Sequence, residues 1–190
     1  MISMIVFLGN YGKEYEKTRH NVAWEFANQL SLCNSLSWQR KFKGMFAQVT
    51  IENRQIYFLQ PYTYMNLSGE SIAEAAKFYK VKPEEILVVH DELELPLGTV
   101  SLKWAGGLGG HNGLRSTKEK LGTADFWRLR FGIGRPTHSD ISGYVLSKFS
   151  SDEQIVLSQV FMKTEALLQD IIRKKPESLL ESWKKVNFLL

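Results

Sequence analysis

The chain has 190 residues, 44% of them hydrophobic, which is enough for one well-buried core and unlike a disordered chain. No apolar run reaches the length of a membrane-spanning helix, and the first residues lack the regions of a secretory signal, so we expect a cytoplasmic protein without a membrane partner. The single cysteine, Cys33, excludes an internal disulfide. The net charge is only +4, but residues 98–135, the basic window, hold seven basic and two acidic residues, so a polyanion would bind there.

The chain begins with a predicted strand and helix that carry the first polar candidates. The apolar run 4–8 is typical of a buried strand, and it leads into a glycine-bracketed turn containing Asn10. Helical apolar spacing follows over 22–33, with His20 just before it and Asn21 in position to cap its first turn. Because ligands bind beyond the carboxyl ends of strands in α/β sheets, Asn10 and His20 are expected at a ligand-binding edge.

The rest of the chain alternates predicted strands and helices. In order these are a hairpin over 46–51 and 55–60, a helix entered near Ser68 over 72–79, strands over 86–89 and 99–104, a helix over 114–121, a strand over 127–132, a helix over 152–173 capped by Ser151, and a closing helix over 176–187. This alternation predicts an α/β fold with one domain over residues 1–190, in which a mixed twisted sheet is sandwiched between helices.

Polar side chains recur where predicted strands end. Asp91 follows one such strand, Asn66 follows the hairpin, and His111 and Asn112 stand near the end of a glycine-rich loop. A histidine oriented by a carboxylate can take a proton from water, and asparagine amides can donate hydrogen bonds to an oxyanion. His20 and Asp91 are the best such pair, so we predict a hydrolytic site in which water is the nucleophile.

Other chemistries fit the sequence less well. A covalent nucleophile is disfavoured because no G-x-S-x-G motif occurs, Cys33 lies on an apolar helix face, and Ser68 is explained as a helix-start residue. The histidines lack metal-ligand spacing, so we expect no metal and no other cofactor. Gly107 and Gly109 begin a dinucleotide-binding pattern that lacks its third glycine, since Asn112 stands there. His90 is expected to pack in the core.

Four blocks of the sequence resemble the successive signature blocks of bacterial peptidyl-tRNA hydrolases. They read GNYGKEYEKTRHN, PYTYMNLSGES, HDELELPLGTVSLKWAGGLGGHNGLRS and FWRLRFGIGRP. The resemblance implies a metal-independent, monomeric enzyme that hydrolyses the ester between a peptide and the 3′-end of tRNA and returns the tRNA to translation. Its partner would be peptidyl-tRNA, contacted at the acceptor stem, the 3′-CCA end and the nascent peptide.

The resemblance also implies catalytic roles. His20 would be the general base that activates water, and Asp91 would be the carboxylate that orients it. Asn10, Asn66 and Asn112 would bind the substrate and, in part, stabilise the transition state.

The remaining residues carried over from the family bind substrate. The groove for the peptide and the terminal adenosine would be lined by Tyr15, Met65 and His111. Lys103 and Arg130, both in the basic window, would clamp the tRNA 5′-phosphate. Gly109 and the segment 143–149 would correspond to a flexible lid over the groove.

The chain departs from the family pattern at Tyr11, where proline is usual, and at Ala23, where glycine is common. Without the proline, the backbone of Asn10 loses a conformational restriction. Two alternatives stay open. An RNA-binding module could use the basic window and Tyr15 without catalysis, and a dinucleotide-binding enzyme could use the glycine-rich loop. The intact set of His20, Asp91 and asparagines favours the hydrolase.

Overall fold

The structure is a computed structural model that describes residues 1–137 and 139–189. Its strands are β1 Met4–Phe7, β2 Gln39–Lys41, β3 Gly44–Ile51, β4 Arg54–Pro61, β5 Ile86–Glu92, β6 Thr99–Trp104, β7 Trp127–Gly132 and β8 Val186–Asn187. Its α-helices are α1 Val22–Gln29, α2 Ser31–Asn34, α3 Ser68–Tyr79, α4 Asn112–Leu121, α5 Ile141–Val145, α6 Ser151–Arg173 and α7 Leu180–Trp183. The strands form one sheet with the order β2-β3-β4-β1-β5-β7-β6-β8.

The centre of the sheet is parallel and apolar. Strand β1 pairs in parallel with β4 and β5, and β5 pairs in parallel with β7, whereas the outer strand pairs are antiparallel. Val6 lies between Leu59 and Val88 in this register, and all three are fully buried. Strands buried on both faces read as continuous apolar runs, as predicted. Their carboxyl ends therefore meet at one edge of the sheet.

Helices cover both faces of the sheet, so the predicted α/β sandwich is confirmed. Helices α1 and α6 pack on one face, where Phe26 contacts Phe161 with ring centres 5.5 Å apart. Helices α3 and α4 lie on the other and approach each other closely at Gly69. A Cβ atom at Gly69 would lie 2.0 Å from the carbonyl oxygen of Ser116, so only glycine fits there.

Two predicted helices are wrong in their extent. The predicted helix over 22–33 is interrupted at Leu30, which has extended backbone angles and is buried, so α1 and α2 are separate. The predicted closing helix over 176–187 becomes a short 3₁₀ turn over Pro176–Leu179, then α7, then β8. Strand β8 pairs with β6, because an edge strand offers unpaired backbone groups that a returning chain can satisfy.

The cap of α6 is also corrected by one residue. Ser150, and not Ser151, precedes the helix, and its hydroxyl accepts the backbone N–H of Glu153. The Glu153 carboxylate in turn accepts the backbone N–H of Ser150. Ser150 and Glu153 therefore form a capping box, although Ser151 and Gln154 have the same spacing in the sequence.

Two features bear on function classes. Cys33 is buried in α2, and burial raises the pKa of its thiol to about 12, so it is a poor nucleophile. Among the residues that the structure describes, no helix combines the length and apolar character needed to cross a membrane.

Candidate active site

A buried histidine–carboxylate pair lies at the carboxyl edge of the central strands. His20 belongs to a 3₁₀ turn, Arg19–Asn21, that leads into α1, and Asp91 is near the end of β5. Nδ1 of His20 lies 2.9 and 3.0 Å from the two carboxylate oxygens of Asp91. The predicted pair is therefore brought together across 71 residues of sequence.

A second histidine contacts the same carboxylate. Nε2 of His111 lies 2.8 Å from Oδ1 of Asp91. Nδ1 of His111 accepts the backbone N–H groups of Gly113 and Leu114 at 3.1 and 3.3 Å, so the proton of the neutral ring is on Nε2 and is donated to Asp91. His111 thereby caps α4, and it occupies backbone donors that a dinucleotide phosphate would need.

This geometry sets the protonation of the pair. With Nδ1–H of His20 donated to Asp91, Nε2 of His20 is left as an acceptor. Burial lowers the pKa of His20, but the charge and the hydrogen bond of Asp91 outweigh it, so the pKa is raised above 6.5. Burial would raise the pKa of Asp91, yet His20 and His111 together hold it below its ordinary value. Asp91 is thus an ionised carboxylate, and His20 is a strengthened base.

Asn10 is fixed from both sides. Its side-chain Oδ1 accepts the backbone N–H of Met65 at 2.7 Å, which leaves its Nδ2 as a donor. Its backbone N–H and carbonyl both bond to the side chain of Asn21, each at 2.9 Å. Asn21 stands at the N-cap position of α1 as predicted, but its side chain makes no capping hydrogen bond, because the buried turn at Asn10 uses that amide instead. The position of Asn10 therefore does not depend on a proline at Tyr11.

Two adjoining cavities, of about 420 and 410 Å³, share His20, Asn112, Ser142 and Val145 in their walls. The first cavity is lined by Asn10, Tyr15, His20, Met65, Asn66, Asn112, Arg115, Ser116, Glu119, Ser142, Val145 and Leu146. Predicted site residues found in the second are His20, Asp91, Gly109, His111 and Asn112. Nine of the predicted residues thus surround one groove, and His20 lies where its two halves meet.

Sequence reasoning missed one wall of this groove, which is a face of α4. Arg115, Ser116 and Glu119 line it together with the predicted Asn112. These positions are three, four and seven residues after Asn112, which is the spacing of one helical face. The Arg115 guanidinium donates to Oδ1 of Asn112 at 2.5 Å, so it orients that amide.

Lys103 and Arg130 lie together but apart from the groove. They line a separate cavity of about 400 Å³ beside Trp104 and Lys184. The Arg130 guanidinium donates to Oγ of Ser101 at 2.7 Å and lies 3.3 Å from the Glu92 carboxylate. Burial, followed by repulsion from the neighbouring arginines, lowers the pKa of Lys103. This pair forms a distinct cationic site on β6 and β7.

Comparisons with known proteins agree with this arrangement. A protein-family model described as peptidyl-tRNA hydrolase matches residues 4–188. The chain belongs to the peptidyl-tRNA hydrolase family. It is 46% identical to a peptidyl-tRNA hydrolase of Treponema pallidum, over 99% of this chain and 97% of that protein, and 46% identical to one of Neisseria meningitidis, over 93% of each. The resemblance of the four sequence blocks is confirmed.

A solved structure extends the agreement to the fold. The crystal structure of the peptidyl-tRNA hydrolase of Acinetobacter baumannii is similar to this chain with a TM-score of 0.89 and 37% identity. The match covers 96% of this chain and 94% of that one. The mixed sheet between helical layers is therefore the fold of the peptidyl-tRNA hydrolase family.

Helix α5 and the residues that follow it are docked on the turn that carries His20. Helix α5 and the residues after it include Ser142 and Val145, which line both cavities. Arg19 holds this segment, since its backbone N–H donates to the Ser147 carbonyl at 3.0 Å. Its guanidinium donates to both carboxylate oxygens of Glu153 at 2.8 and 2.9 Å. Arg19 stands inside the first signature block, but its partners are more than 120 residues away, so local patterns do not reveal this role.

The glycine-rich loop is held in place by the side chain of Arg128, a role that the sequence did not indicate. Arg128 is buried on β7, and its guanidinium donates to the carbonyl oxygens of Gly107 and Gly106 at 2.6 and 2.7 Å. These bonds hold the loop that leads to His111. Gly109 itself has a positive φ of 59°, and a Cβ atom there would meet nothing within 4 Å.

The same three groups could be considered as metal ligands. Ligand atoms of His20, Asp91 and His111 lie within 4.8 Å of one another. In the structure the two imidazoles hydrogen-bond to the Asp91 carboxylate, which orients His20 for proton transfer. The absence of a catalytic metal stays a prediction.

Proposed function

We propose that this protein hydrolyses the ester bond between the peptide and the 3′-end of tRNA in peptidyl-tRNA, with His20 as the general base. Membership in the peptidyl-tRNA hydrolase family supports the reaction. The observation that carries the mechanism is the buried His20–Asp91 pair at the junction of the two cavities. We further propose that the protein acts as a cytoplasmic monomer that returns tRNA to translation and assists ribosome rescue.

The proposed reaction begins with water in the groove. Nε2 of His20 accepts a proton from this water, and the oxygen forms a bond to the ester carbonyl carbon. Asp91 stabilises the resulting imidazolium, because its carboxylate already accepts Nδ1–H. The side-chain Nδ2 of Asn10 donates to the oxyanion, since its Oδ1 is held by Met65.

The second half of the reaction releases tRNA. The tetrahedral intermediate collapses, and the bond to the 3′-oxygen of the terminal adenosine breaks. That oxygen takes the proton held by His20, so the base returns to its neutral form. The peptide leaves as a carboxylic acid, which releases its proton to solvent to give the carboxylate, and one water molecule is consumed.

Substrate binding is divided between the groove and the cationic site. Tyr15, Met65 and Asn66 would contact the peptide and the terminal adenosine, together with Asn112 from α4. Lys103 and Arg130 would contact the 5′-phosphate. Strand β6 lies two strands from β5, about 10 Å at the usual strand spacing. Both sites can therefore contact one tRNA acceptor end.

Incubation of the purified protein with N-acetylaminoacyl-tRNA in the presence of a chelator tests this function. We expect release of the N-acetylamino acid and deacylated tRNA at a rate that the chelator does not change. Loss of activity in chelator, restored by a divalent metal, would overturn the metal-independent mechanism. No release under any of these conditions would overturn the proposed function itself.

A further inference from the structure

Two tyrosines and an arginine form a surface beside the groove, which we call the tyrosine platform. It consists of Tyr11, Tyr62 and Arg40. The rings of Tyr11 and Tyr62 are stacked with centres 4.6 Å apart and planes inclined by 30°. The Arg40 guanidinium carbon lies 5.9 and 5.7 Å from the centres of these two rings. Tyr11 directly follows Asn10, which lines the groove, while Tyr62 lines a separate cavity beside Cys33 and Trp38.

The tyrosine platform is held firmly by the fold. Tyr62 also packs on the indole ring of Trp24, with centres 5.4 Å apart, and the indole N–H donates to the Phe7 carbonyl at 3.0 Å. A Cβ atom at Gly9 would lie within 2.6 Å of that indole, so a glycine is required beneath it. The platform is therefore pre-organised, which reduces the entropy cost of binding a ligand.

The tyrosine platform is also exposed to solvent, and the hydrogen-bond donors of its arginine are unused. Tyr11 is 47% exposed, and Arg40 is exposed. The side chain of every other arginine donates a hydrogen bond, whereas the Arg40 guanidinium has neither a hydrogen bond nor an ion pair within the ranges 1–137 and 139–189. A guanidinium over two tyrosine rings, with its donors unused, fits a carboxylate beside an aromatic side chain.

The sheet order indicates which part of a substrate would come to this surface. Arg40 lies on the edge strand β2, whereas Lys103 and Arg130 lie on β6 and β7, towards the other side of the sheet. The catalytic pair lies between them, beside β1 and β5. The inference rests on the proposed function: if tRNA occupies the side of Lys103, the peptide leaves the ester towards β4 and β2.

We propose that the tyrosine platform is a specificity site for the nascent peptide, and that it selects peptides with an acidic side chain next to an aromatic one. Strands β1 and β2 are three spacings apart, about 14 Å, and an extended peptide advances about 3.3 Å per residue. Three strand spacings correspond to about four residues, so the selected side chains lie up to about four residues before the esterified residue. The aromatic ring stacks on Tyr11, and the carboxylate binds Arg40.

The test compares three substrates made on one tRNA. The first is an N-acetylaminoacyl-tRNA. The second is a pentapeptidyl-tRNA with adjacent Asp and Phe within the four residues before the esterified one, and the third has Lys and Gly in their place. We expect kcat/KM of the wild-type protein to be about fivefold higher for the Asp–Phe peptide than for the Lys–Gly peptide. Arg40→Gln and Tyr11→Ala should each reduce this preference without changing hydrolysis of N-acetylaminoacyl-tRNA.

Matched controls make the result specific. Tyr11→Phe keeps the ring and should keep the preference, and Arg173→Gln removes a distant exposed arginine and should change nothing. Absence of a preference in the wild-type protein would overturn the inference, as would equal losses on all three substrates in the variants. Binding of amide-linked, non-hydrolysable forms of the same peptidyl-tRNAs gives the same comparison without catalysis. Failure of the proposed reaction is thus distinguishable from failure of the tyrosine platform.

Discussion

The catalytic edge at β1 and β5 and the cationic site on β6 and β7 differ in how firmly their side chains are held. This difference matches the chemistry proposed for each site. At the catalytic edge, Asp91 bonds two imidazoles, and Asn10 is held at its side chain and its backbone. At the cationic site, Lys103 is half-buried and forms no ion pair within the described residues, while Arg130 is partly neutralised by Glu92. Proton transfer needs fixed atoms, whereas attraction of a phosphate tolerates long, mobile side chains.

This difference separates the expected effects of substitutions. Changes at the catalytic edge should lower kcat, because the interactions there act on the reacting atoms. Changes at the cationic site should raise KM and alter the salt dependence, because the interactions there are electrostatic contacts with tRNA.

The largest effect is expected at His20. His20→Ala removes the base but leaves the asparagines and the cationic site in place. We expect kcat to fall by about 10²- to 10⁴-fold, with tRNA affinity unchanged. Single-turnover hydrolysis of N-acetylaminoacyl-tRNA and a filter-binding assay would measure the two quantities. A parallel loss of affinity and rate would contradict the assignment of His20 as a base.

Asp91→Asn should have a smaller effect and should also move the pH profile. Only neutral His20 accepts a proton, so the wild-type rate should fall as the pH drops through its raised pKa, above 6.5. Without the Asp91 charge, this acidic limb should shift to lower pH, and the maximal rate should fall about tenfold because the base is weaker. A pH–rate profile of both proteins tests this. An unshifted acidic limb would show that another group titrates.

At the cationic site, Lys103→Ala should weaken substrate binding. If Lys103 contacts one phosphate, the slope of the logarithm of affinity against the logarithm of salt concentration should fall by about one unit. Hydrolysis of a minimal ester that lacks the tRNA body should be unchanged. Equal losses of activity on both substrates would show that Lys103 affects the catalytic edge and does not act through tRNA binding alone.

The smallest effect is expected at Tyr11, next to the catalytic edge. Proline usually stands here in the family, but the backbone N–H of Tyr11 donates to the Thr63 carbonyl at 3.3 Å. Proline cannot make this bond, so Tyr11→Pro should destabilise the fold by about 0.5–1.5 kcal/mol. Urea denaturation would measure the change. A gain in stability would show that the turn prefers the family residue despite the lost bond.

Much of the fold could be predicted because its strongest patterns are local. Central strands buried on both faces read as continuous apolar runs, and the segments that became β1 and the first part of β5 have them. The boundaries that were missed depend on competition between distant groups. The break at Leu30 and the strand β8 arise where tertiary packing or an unpaired strand edge outweighs helical spacing.

By itself, the sequence determined the α/β class from its alternating elements and the family from its four signature blocks. It also predicted that His20 and Asp91 lie together, because the carboxyl ends of parallel strands meet at one edge. Only the tertiary structure decided that His111 shares the Asp91 carboxylate, that Asn21 clamps Asn10, and that Lys103 lies outside the groove. The first two depend on which donor reaches which acceptor, and the third depends on the order of the strands in the sheet. Hydrogen bonds are short and directional, so spacing along the sequence cannot decide between competing partners.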